Sequence, residues 1–166
     1  LGIGARGVLD GIDAALDAGL APVKINVVVQ AGVNDAQLLA LCDHFRHTAC
    51  IVRFIEYMDV GTMNGWRSDA VLPAARLVAR IHNRYPIQAL PPRYPGEVAQ
   101  RYAYADGAGE IGVISAVSRP FCGDCTRLRL SADGQLHTCL FGPTVLDLKG
   151  PLRAGAPEEA LLAAMR

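Results

Sequence analysis

Two short runs of apolar and β-branched residues constrain the fold of this chain more than any other feature. Residues 23–29 read Val-Lys-Ile-Asn-Val-Val-Val and residues 50–57 read Cys-Ile-Val-Arg-Phe-Ile-Glu-Tyr, which is the composition of strands. Apolar residues at helical spacing occur before the first run, over 8–18, and between the runs, over 35–45. Helix, strand, helix and strand in this order predict α/β units with a parallel sheet.

The middle of the chain has the composition of loops and linkers. A loop is predicted over 59–69, and a helix from Pro73 to about Tyr85. Residues 86–109 contain four prolines and three glycines, which is typical of a linker between subdomains. We therefore predict a first subdomain over residues 1–85 and a linker over 86–109.

The last part of the chain changes to a β pattern. Residues 111–117 form a predicted strand. Residues 126–130 and 135–140 flank the run Ala132-Asp133-Gly134, which is typical of a hairpin turn. These features predict a small β-rich subdomain over residues 110–166.

Charge and cysteine content exclude several classes of protein. The chain has 16 cationic and 16 acidic residues, so no net charge draws it toward nucleic acid or an anionic membrane. Its five cysteines are an odd number, whereas a secreted disulfide framework favours an even set. No apolar run is long enough to span a bilayer, and no signal-peptide layout is present at the first residues. The sequence predicts a soluble cytoplasmic protein without a nucleic-acid or membrane partner.

Three clustered cysteines carry the strongest chemical signal, in the pattern Cys122-x2-Cys125-x13-Cys139. A Cys-x-x-Cys turn lets two thiolates reach one metal, and a third thiolate from a nearby hairpin closes the site. Three sulfurs leave one position open, which on a 4Fe–4S cluster is an iron that can bind a substrate. His137 could instead complete a Cys3His zinc site. Spacing alone supports both metals equally, and a disulfide between Cys122 and Cys125 is the poorer third alternative.

A cationic segment, Arg127-Leu128-Arg129, begins two residues after Cys125. In a regular strand both arginines would lie on one face and Leu128 on the other. Guanidinium groups suit phosphate and the polar edges of a base. The segment therefore indicates part of a pocket for an anionic ligand, and the alternative is an exposed edge strand with solvated charges.

Two further cations lie within the predicted strands. One face of the strand over 22–30 carries Lys24, Asn26, Val28 and Gln30, and its other face is apolar. Arg53 lies between apolar neighbours in the second strand. Because an unpaired buried cation is costly, each needs an anionic partner. That partner is either a bound ligand or an internal carboxylate, Glu56 or Asp59.

Residues 109–141, GEIGVISAVSRPFCGDCTRLRLSADGQLHTCLF, resemble the C-terminal cluster motif of the molybdenum cofactor biosynthesis protein A family. That family consists of radical S-adenosylmethionine enzymes, the GTP 3′,8-cyclases. The runs KINVVV from Lys24 and RFIEYMDVG from Arg53 are similar to its last barrel strands, and GIDAALDAGL from Gly11 is similar to the preceding segment. The resemblance covers about residues 8–153.

The resemblance implies an α/β fold made of the last strands and helices of an incomplete (βα) radical-SAM barrel, followed by a small β-rich Fe–S subdomain. It implies that Cys122, Cys125 and Cys139 hold a 4Fe–4S cluster. In the family, a second 4Fe–4S cluster on a Cys-x3-Cys-x2-Cys loop cleaves S-adenosylmethionine. This chain contains no such motif, so we expect it to be the C-terminal half of the enzyme, inactive alone.

The resemblance also implies a reaction. A deoxyadenosyl radical removes the ribose 3′ hydrogen of GTP, and C3′ bonds to C8 of the guanine to give (8S)-3′,8-cyclo-7,8-dihydroguanosine 5′-triphosphate. By similarity Lys24, Arg53 and the segment Arg127-Leu128-Arg129 contact GTP, which docks on the open iron. Met58 contacts S-adenosylmethionine, and we expect it at or beyond the end of its strand, where barrel sites lie.

The implied partners are GTP and cyclic pyranopterin monophosphate synthase (molybdenum cofactor biosynthesis protein C), which takes up the product, and the family allows a homodimer. Two alternatives remain at this point. One is a zinc-stabilised module in which Arg127 and Arg129 bind phosphate or nucleic acid. The other is an inactive relative that keeps the pocket without the chemistry.

Overall fold

The computed structural model describes residues 4–59 and 65–165. It divides into two compact units. The larger unit consists of Leu1–Met58 and Trp66–Asp124, and the smaller unit consists of Asp59–Gly65 and Cys125–Arg166. Residues 60–64, the centre of the predicted loop 59–69, lie outside the described residues.

The larger unit is a mixed α/β structure around a five-stranded sheet. Its main elements are α1 (Ala5–Asp17), β1 (Val23–Val29), α2 (Leu38–Phe45), β2 (Cys50–Glu56), α3 (Ala74–Arg84), β3 (Ile87–Leu90), β4 (Gln100–Tyr104) and β5 (Glu110–Ile114). The strand order is β1-β2-β5-β4-β3. Strands β1, β2 and β5 are parallel, whereas β4 runs antiparallel to both of its neighbours. The predicted α/β class is confirmed, with a mixed sheet.

One face of this sheet carries the hydrophobic core. Apolar side chains at every second strand position lie on this face and pack against α2 and α3; the buried ones include Val29, Val52, Phe54, Ile111, Val113, Leu38, Cys42, Leu77 and Ile81. Fully burying an aliphatic or aromatic side chain of this size contributes about 1.5–3 kcal/mol. Cys42 and Cys50 are buried in this core, as expected for cysteines on apolar faces.

The segment over residues 86–109 is part of the sheet. Its prolines and glycines predict a linker, but the segment contains β3 and β4, and Ile87 pairs with Tyr104. Its prolines and glycines lie before β3 and in the turns from β3 to β4 and from β4 to β5, where they interrupt regular structure as they would in a linker. The division between the two compact units falls between residues 124 and 125.

The smaller unit contains a three-stranded antiparallel sheet and two short helices. Its elements are β6 (Arg129–Leu130), β7 (Gln135–His137), β8 (Leu146–Asp147), α4 (Lys149–Arg153) and α5 (Glu158–Ala164). The predicted hairpin is confirmed, with shorter strands than expected, and Gly134 adopts a φ of +80° in its turn. Such a left-handed conformation favours glycine.

Helices in the described part of the chain are short. The longest is α1, with 13 residues. Within residues 4–59 and 65–165, no helix has both the length and the apolar character that crossing a membrane requires.

Candidate functional site

The face of the larger unit's sheet opposite the core carries both polar and apolar side chains, among them Lys24, Asn26 and the buried Ile51. Along β1, partly buried apolar residues alternate with exposed ones, and the exposed set includes Lys24 and Asn26. The predicted alternation of strand 22–30 is therefore confirmed. Asn26 is the register partner of Arg53 on β2, so the Arg53 side chain lies on the same open face.

The Arg53 side chain is held by its neighbours on this face. Its Nε donates a hydrogen bond to Oδ1 of Asn26 at 2.9 Å. Gly112 on β5 is its register partner on the other side, and the stem of Arg53 runs over this glycine, with Cγ 3.1 Å from where a Cβ would lie. The strands thus fix the path of the side chain from its base to Nε.

Glu56, the last residue of β2, is 0% exposed. Its carboxylate accepts hydrogen bonds from the backbone N–H of Ala74 at 2.6 Å and from those of Val117 and Ser118 at 2.7 Å each, and also from the Ser118 hydroxyl. Burial by itself raises the pKa of Glu56, but these hydrogen bonds outweigh it and hold the pKa below the ordinary value.

This environment corrects one alternative from the sequence. Glu56 is not the ion-pair partner of Lys24 or Arg53, because it is in register with Val29 and therefore lies on the core face of the sheet. The period of two was the available signal, since Glu56 shares its face with Val52 and Phe54. The pattern did not reveal which groups donate hydrogen bonds to the Glu56 carboxylate, because these donors come from segments distant in the sequence.

Met58 lies two residues beyond the end of β2 and is partly buried. This is the location that was expected, at or beyond the carboxyl end of its strand. Its neighbour Tyr57 accepts a hydrogen bond from Nε1 of Trp66 at 3.1 Å through its carbonyl oxygen. The contact of Met58 with S-adenosylmethionine stays a prediction.

The three clustered cysteines are free thiols, so the disulfide alternative is wrong. In the larger unit, Cys122 is exposed and begins a short 3-10 helix, Cys122–Asp124. In the smaller unit, Sγ of Cys125 accepts a hydrogen bond from Nη2 of Arg127 at 3.3 Å, and Sγ of Cys139 accepts one from the backbone N–H of Phe141 at 3.4 Å.

Arg127 also changes the acidity of its neighbour. Its backbone N–H and then its guanidinium hydrogen-bond to Cys125, and the positive charges of Arg127 and Arg129 add to the effect, so the pKa of the Cys125 thiol lies below its usual range. Such a thiol is prepared to act as a thiolate ligand.

The chemistry of the donor set fits an iron–sulfur cluster. Three free thiols are available, and N–H groups already donate to two of the sulfurs, as they do around such clusters. Within residues 4–59 and 65–165, no three His, Cys, Asp or Glu side chains are grouped closely enough to hold a metal ion. The ligand assignment of Cys122, Cys125 and Cys139 therefore stays a prediction.

His137, the fourth ligand of the zinc alternative, is the last residue of β7 and is in register with Arg129 on β6. Cys139 lies beyond the end of β7. The regular strand that would place His137 and Cys139 on one face is therefore not formed.

The segment Arg127-Leu128-Arg129 is only partly a strand, because β6 begins at Arg129. The alternation predicted for the two arginines thus does not extend to Arg127, and Leu128 is 57% exposed. Nη1 of Arg129 is buried and has no hydrogen-bond partner among the residues that the structure describes. A buried guanidinium donor of this kind fits an anionic ligand.

Comparison with known proteins identifies related sequences. The family model described as Molybdenum Cofactor Synthesis C matches residues 50–166. A protein of Xanthomonas axonopodis pv. citri named GTP 3′,8-cyclase is 59% identical over 150 residues, which cover 90% of this chain and 45% of the relative. A protein of the same name from Acidothermus cellulolyticus is 53% identical over 158 residues, which cover 95% and 44% respectively. The chain thus spans less than half the length of these curated relatives.

Proposed function

Because the chain belongs to the Molybdenum Cofactor Synthesis C family, we propose that it is the cluster-binding and GTP-binding part of a GTP 3′,8-cyclase. The whole protein would be a lyase that converts GTP to (8S)-3′,8-cyclo-7,8-dihydroguanosine 5′-triphosphate in the first step of molybdenum cofactor biosynthesis. The observation that carries the proposal is the 59% identity to a relative of that name. On the same basis, β1, β2 and their helices are the last part of a radical-SAM barrel, and the protein acts in the cytoplasm.

In this proposal Cys122, Cys125 and Cys139 hold a 4Fe–4S cluster. When bound, the cluster supplies an iron with an open coordination position for the guanine end of GTP. Arg127 favours the thiolate form of Cys125, because its N–H and guanidinium donors lower the pKa of that thiol. The backbone N–H of Phe141 donates to Cys139 and would balance negative charge on that sulfur.

The cations of both units bind GTP in this proposal. On the larger unit, Lys24 and Arg53 contact the negatively charged triphosphate. On the smaller unit, Arg127, Leu128 and Arg129 contact the nucleotide, and the buried Nη1 of Arg129 gains a partner. Each charge-assisted hydrogen bond contributes about 1.5–3 kcal/mol.

The radical chemistry is assigned to sequence that this chain does not contain. Met58 contacts S-adenosylmethionine, while a second 4Fe–4S cluster is held elsewhere in the whole protein, since this chain has no Cys-x3-Cys-x2-Cys motif. We therefore expect no cleavage of S-adenosylmethionine by the chain alone. The product would pass to cyclic pyranopterin monophosphate synthase, and the family to which the chain belongs allows a homodimer.

Anaerobic reconstitution tests the cluster assignment. We expect a brown protein with about four irons per chain, as this cluster type requires. Serine variants of Cys122, Cys125 and Cys139 should each lose iron, and His137→Ala serves as the matched control that keeps it. Stoichiometric zinc that is lost in His137→Ala would contradict the proposal and favour the zinc-stabilised phosphate or nucleic-acid binding module.

A further inference from the structure

Three residues form a row across the open face of the larger unit's sheet. Asn26 on β1 is in register with Arg53 on β2, and Arg53 is in register with Gly112 on β5. Register partners in adjacent strands lie side by side on one face of a sheet. The side chain of Arg53 therefore has a hydrogen-bonding neighbour on one side and a residue without a side chain on the other.

Gly112 provides the space that the stem of Arg53 occupies. A Cβ added at this buried glycine would lie 3.1 Å from Cγ and 3.4 Å from Cδ of Arg53, and 3.4 Å from Cβ of Ala99. Its φ lies outside the left-handed region, unlike that of Gly107, so the backbone does not require glycine here. The requirement is for room, and the Arg53 side chain fills most of that room.

Asn26 fixes the other end of the stem. Its Oδ1 accepts a hydrogen bond from Nε of Arg53 at 2.9 Å. Within the described residues of the larger unit, the two Nη groups of Arg53 have no hydrogen-bond or ion-pair partner. The side chain is thus held at Cγ, Cδ and Nε while its four terminal N–H donors remain available, which suits bidentate recognition of a phosphate.

We propose that Asn26 and Gly112 are positioning residues that hold Arg53 in one path across the sheet and so present its Nη groups to the triphosphate of GTP. The proposal rests on the assignment of Arg53 to GTP binding made above. Holding the stem in place before the ligand arrives reduces the side-chain freedom that binding would otherwise remove. Neither positioning residue needs to touch the nucleotide.

A double-mutant cycle in the complete, cluster-loaded protein tests the proposal, with GTP binding measured by calorimetry. Arg53→Ala should weaken GTP binding about ten- to a hundredfold, since it removes charge-assisted contacts. Gly112→Ala should weaken binding severalfold while Arg53 is present, because the new methyl group displaces its stem. In the Arg53→Ala background, Gly112→Ala should have no further effect.

Two further variants keep the test decisive. Asn26→Ala changes an exposed residue and should likewise weaken binding only while Arg53 is present, so it serves if Gly112→Ala fails to fold. Gly11→Ala is the matched control, because a Cβ at this helical glycine meets nothing within 4 Å, and GTP affinity should not change.

The outcomes distinguish the positioning role of Asn26 and Gly112 from the GTP contact of Arg53. If Arg53→Ala weakens binding while Gly112→Ala and Asn26→Ala act equally in both backgrounds, the positioning role is overturned and the GTP contact of Arg53 stands. If Arg53→Ala leaves GTP affinity unchanged, the assignment of Arg53 to the nucleotide is wrong, and the positioning role is overturned with it.

Discussion

The contact between Arg127 and Cys125 shows how one residue can determine the chemistry of another. The Cys125 thiol has a lowered pKa because the N–H and guanidinium of Arg127 stabilise the charged sulfur. A lower pKa increases the thiolate fraction near neutral pH, and the thiolate is both the nucleophile and the metal ligand. The same two donors that would support a cluster therefore also make Cys125 reactive in its absence.

We expect Arg127→Ala to slow the alkylation of Cys125 severalfold at pH 7 in the metal-free protein. The substitution removes the side-chain hydrogen bond and the charge, so the thiol pKa rises and less thiolate is present at that pH. Site-resolved mass spectrometry after iodoacetamide treatment between pH 6 and 9 measures the rate. Arg153→Ala, which removes a cation from α4, is the control. Equal pH profiles for Arg127→Ala and the unchanged protein would contradict the expectation.

For single residues, the sequence predicted which face of a strand a side chain occupies better than it predicted which other residues that side chain contacts. The open face with Lys24 and the position of Met58 follow from the period and the length of a strand. The pairing of Arg53 with Gly112 does not, because it depends on β5 lying beside β2. Strand order in a mixed sheet is a property of the whole fold, and local patterns do not specify it.

At the scale of secondary-structure elements, one buried carboxylate connects β2, α3 and a turn. Glu56 ends β2, accepts a hydrogen bond from the first residue of α3, Ala74, and accepts others from the turn at Val117 and Ser118. A negative charge at the beginning of a helix is also favourable to the helix dipole. Ser118 lies four residues before Cys122, so Glu56 helps to fix where the cysteine segment begins.

We expect Glu56→Gln to lower the free energy of unfolding by about 2–4 kcal/mol at pH 7, because a buried acceptor of several N–H groups becomes partly a donor. The pKa of Glu56 is lowered in the folded state. Its stabilisation is therefore complete above the unfolded pKa, about 4.3, and is lost as the pH falls through the lower folded value.

Urea unfolding at several pH values between 7 and 3 measures this effect. The difference between Glu56→Gln and the unchanged protein should shrink as the pH falls below about 4. Glu97→Gln is the matched control, since the Glu97 carboxylate accepts a hydrogen bond from the backbone N–H of Arg93 in an exposed segment. A difference that stays constant from pH 7 to 3 would contradict the role of the charge.

The elements themselves were predicted with uneven success. The long β-branched strand over residues 23–29 coincides with β1, whereas β3 and β4 were missed within residues 86–109. These strands have only 4 and 5 residues and lie between prolines and glycines. Their stability comes from pairing with each other and with β5, and a short sequence window does not contain that information.

Across the whole molecule, buried apolar residues are unevenly distributed. The larger unit contains the hydrophobic core, whereas Leu136 is the one apolar residue that is buried among described residues 125–165. Large apolar side chains that are exposed in the smaller unit include Leu128, Leu130, Leu140, Phe141, Val145, Leu152, Leu162 and Met165. A unit of this size with so little core needs another source of stability, and a bound metal centre is one that proteins use.

We therefore expect amide hydrogen exchange to be fast in residues 129–147 of the metal-free protein and to slow after reconstitution with iron and sulfide. The physical reason is that cluster ligation would restrain Cys125, which precedes β6, and Cys139, which lies between β7 and β8, and would suppress local opening of this sheet. Strands β2 and β5 serve as the internal control and should be protected in both states. Equal exchange in residues 129–147 with and without the cluster would show that the metal does not stabilise this unit.

The strand order also determines when the row from Asn26 to Gly112 can exist during folding. Strands β3, β4 and β5 are consecutive and antiparallel, while β5 joins β2 in parallel across all the intervening chain. Nearby segments pair with a smaller loss of chain entropy than distant ones. We expect the three antiparallel strands to associate first and β5 to pair with β2 late in folding. Arg53 would then acquire its ordered path only in the final stage of folding, and a partly folded chain would not yet recognise a nucleotide through it.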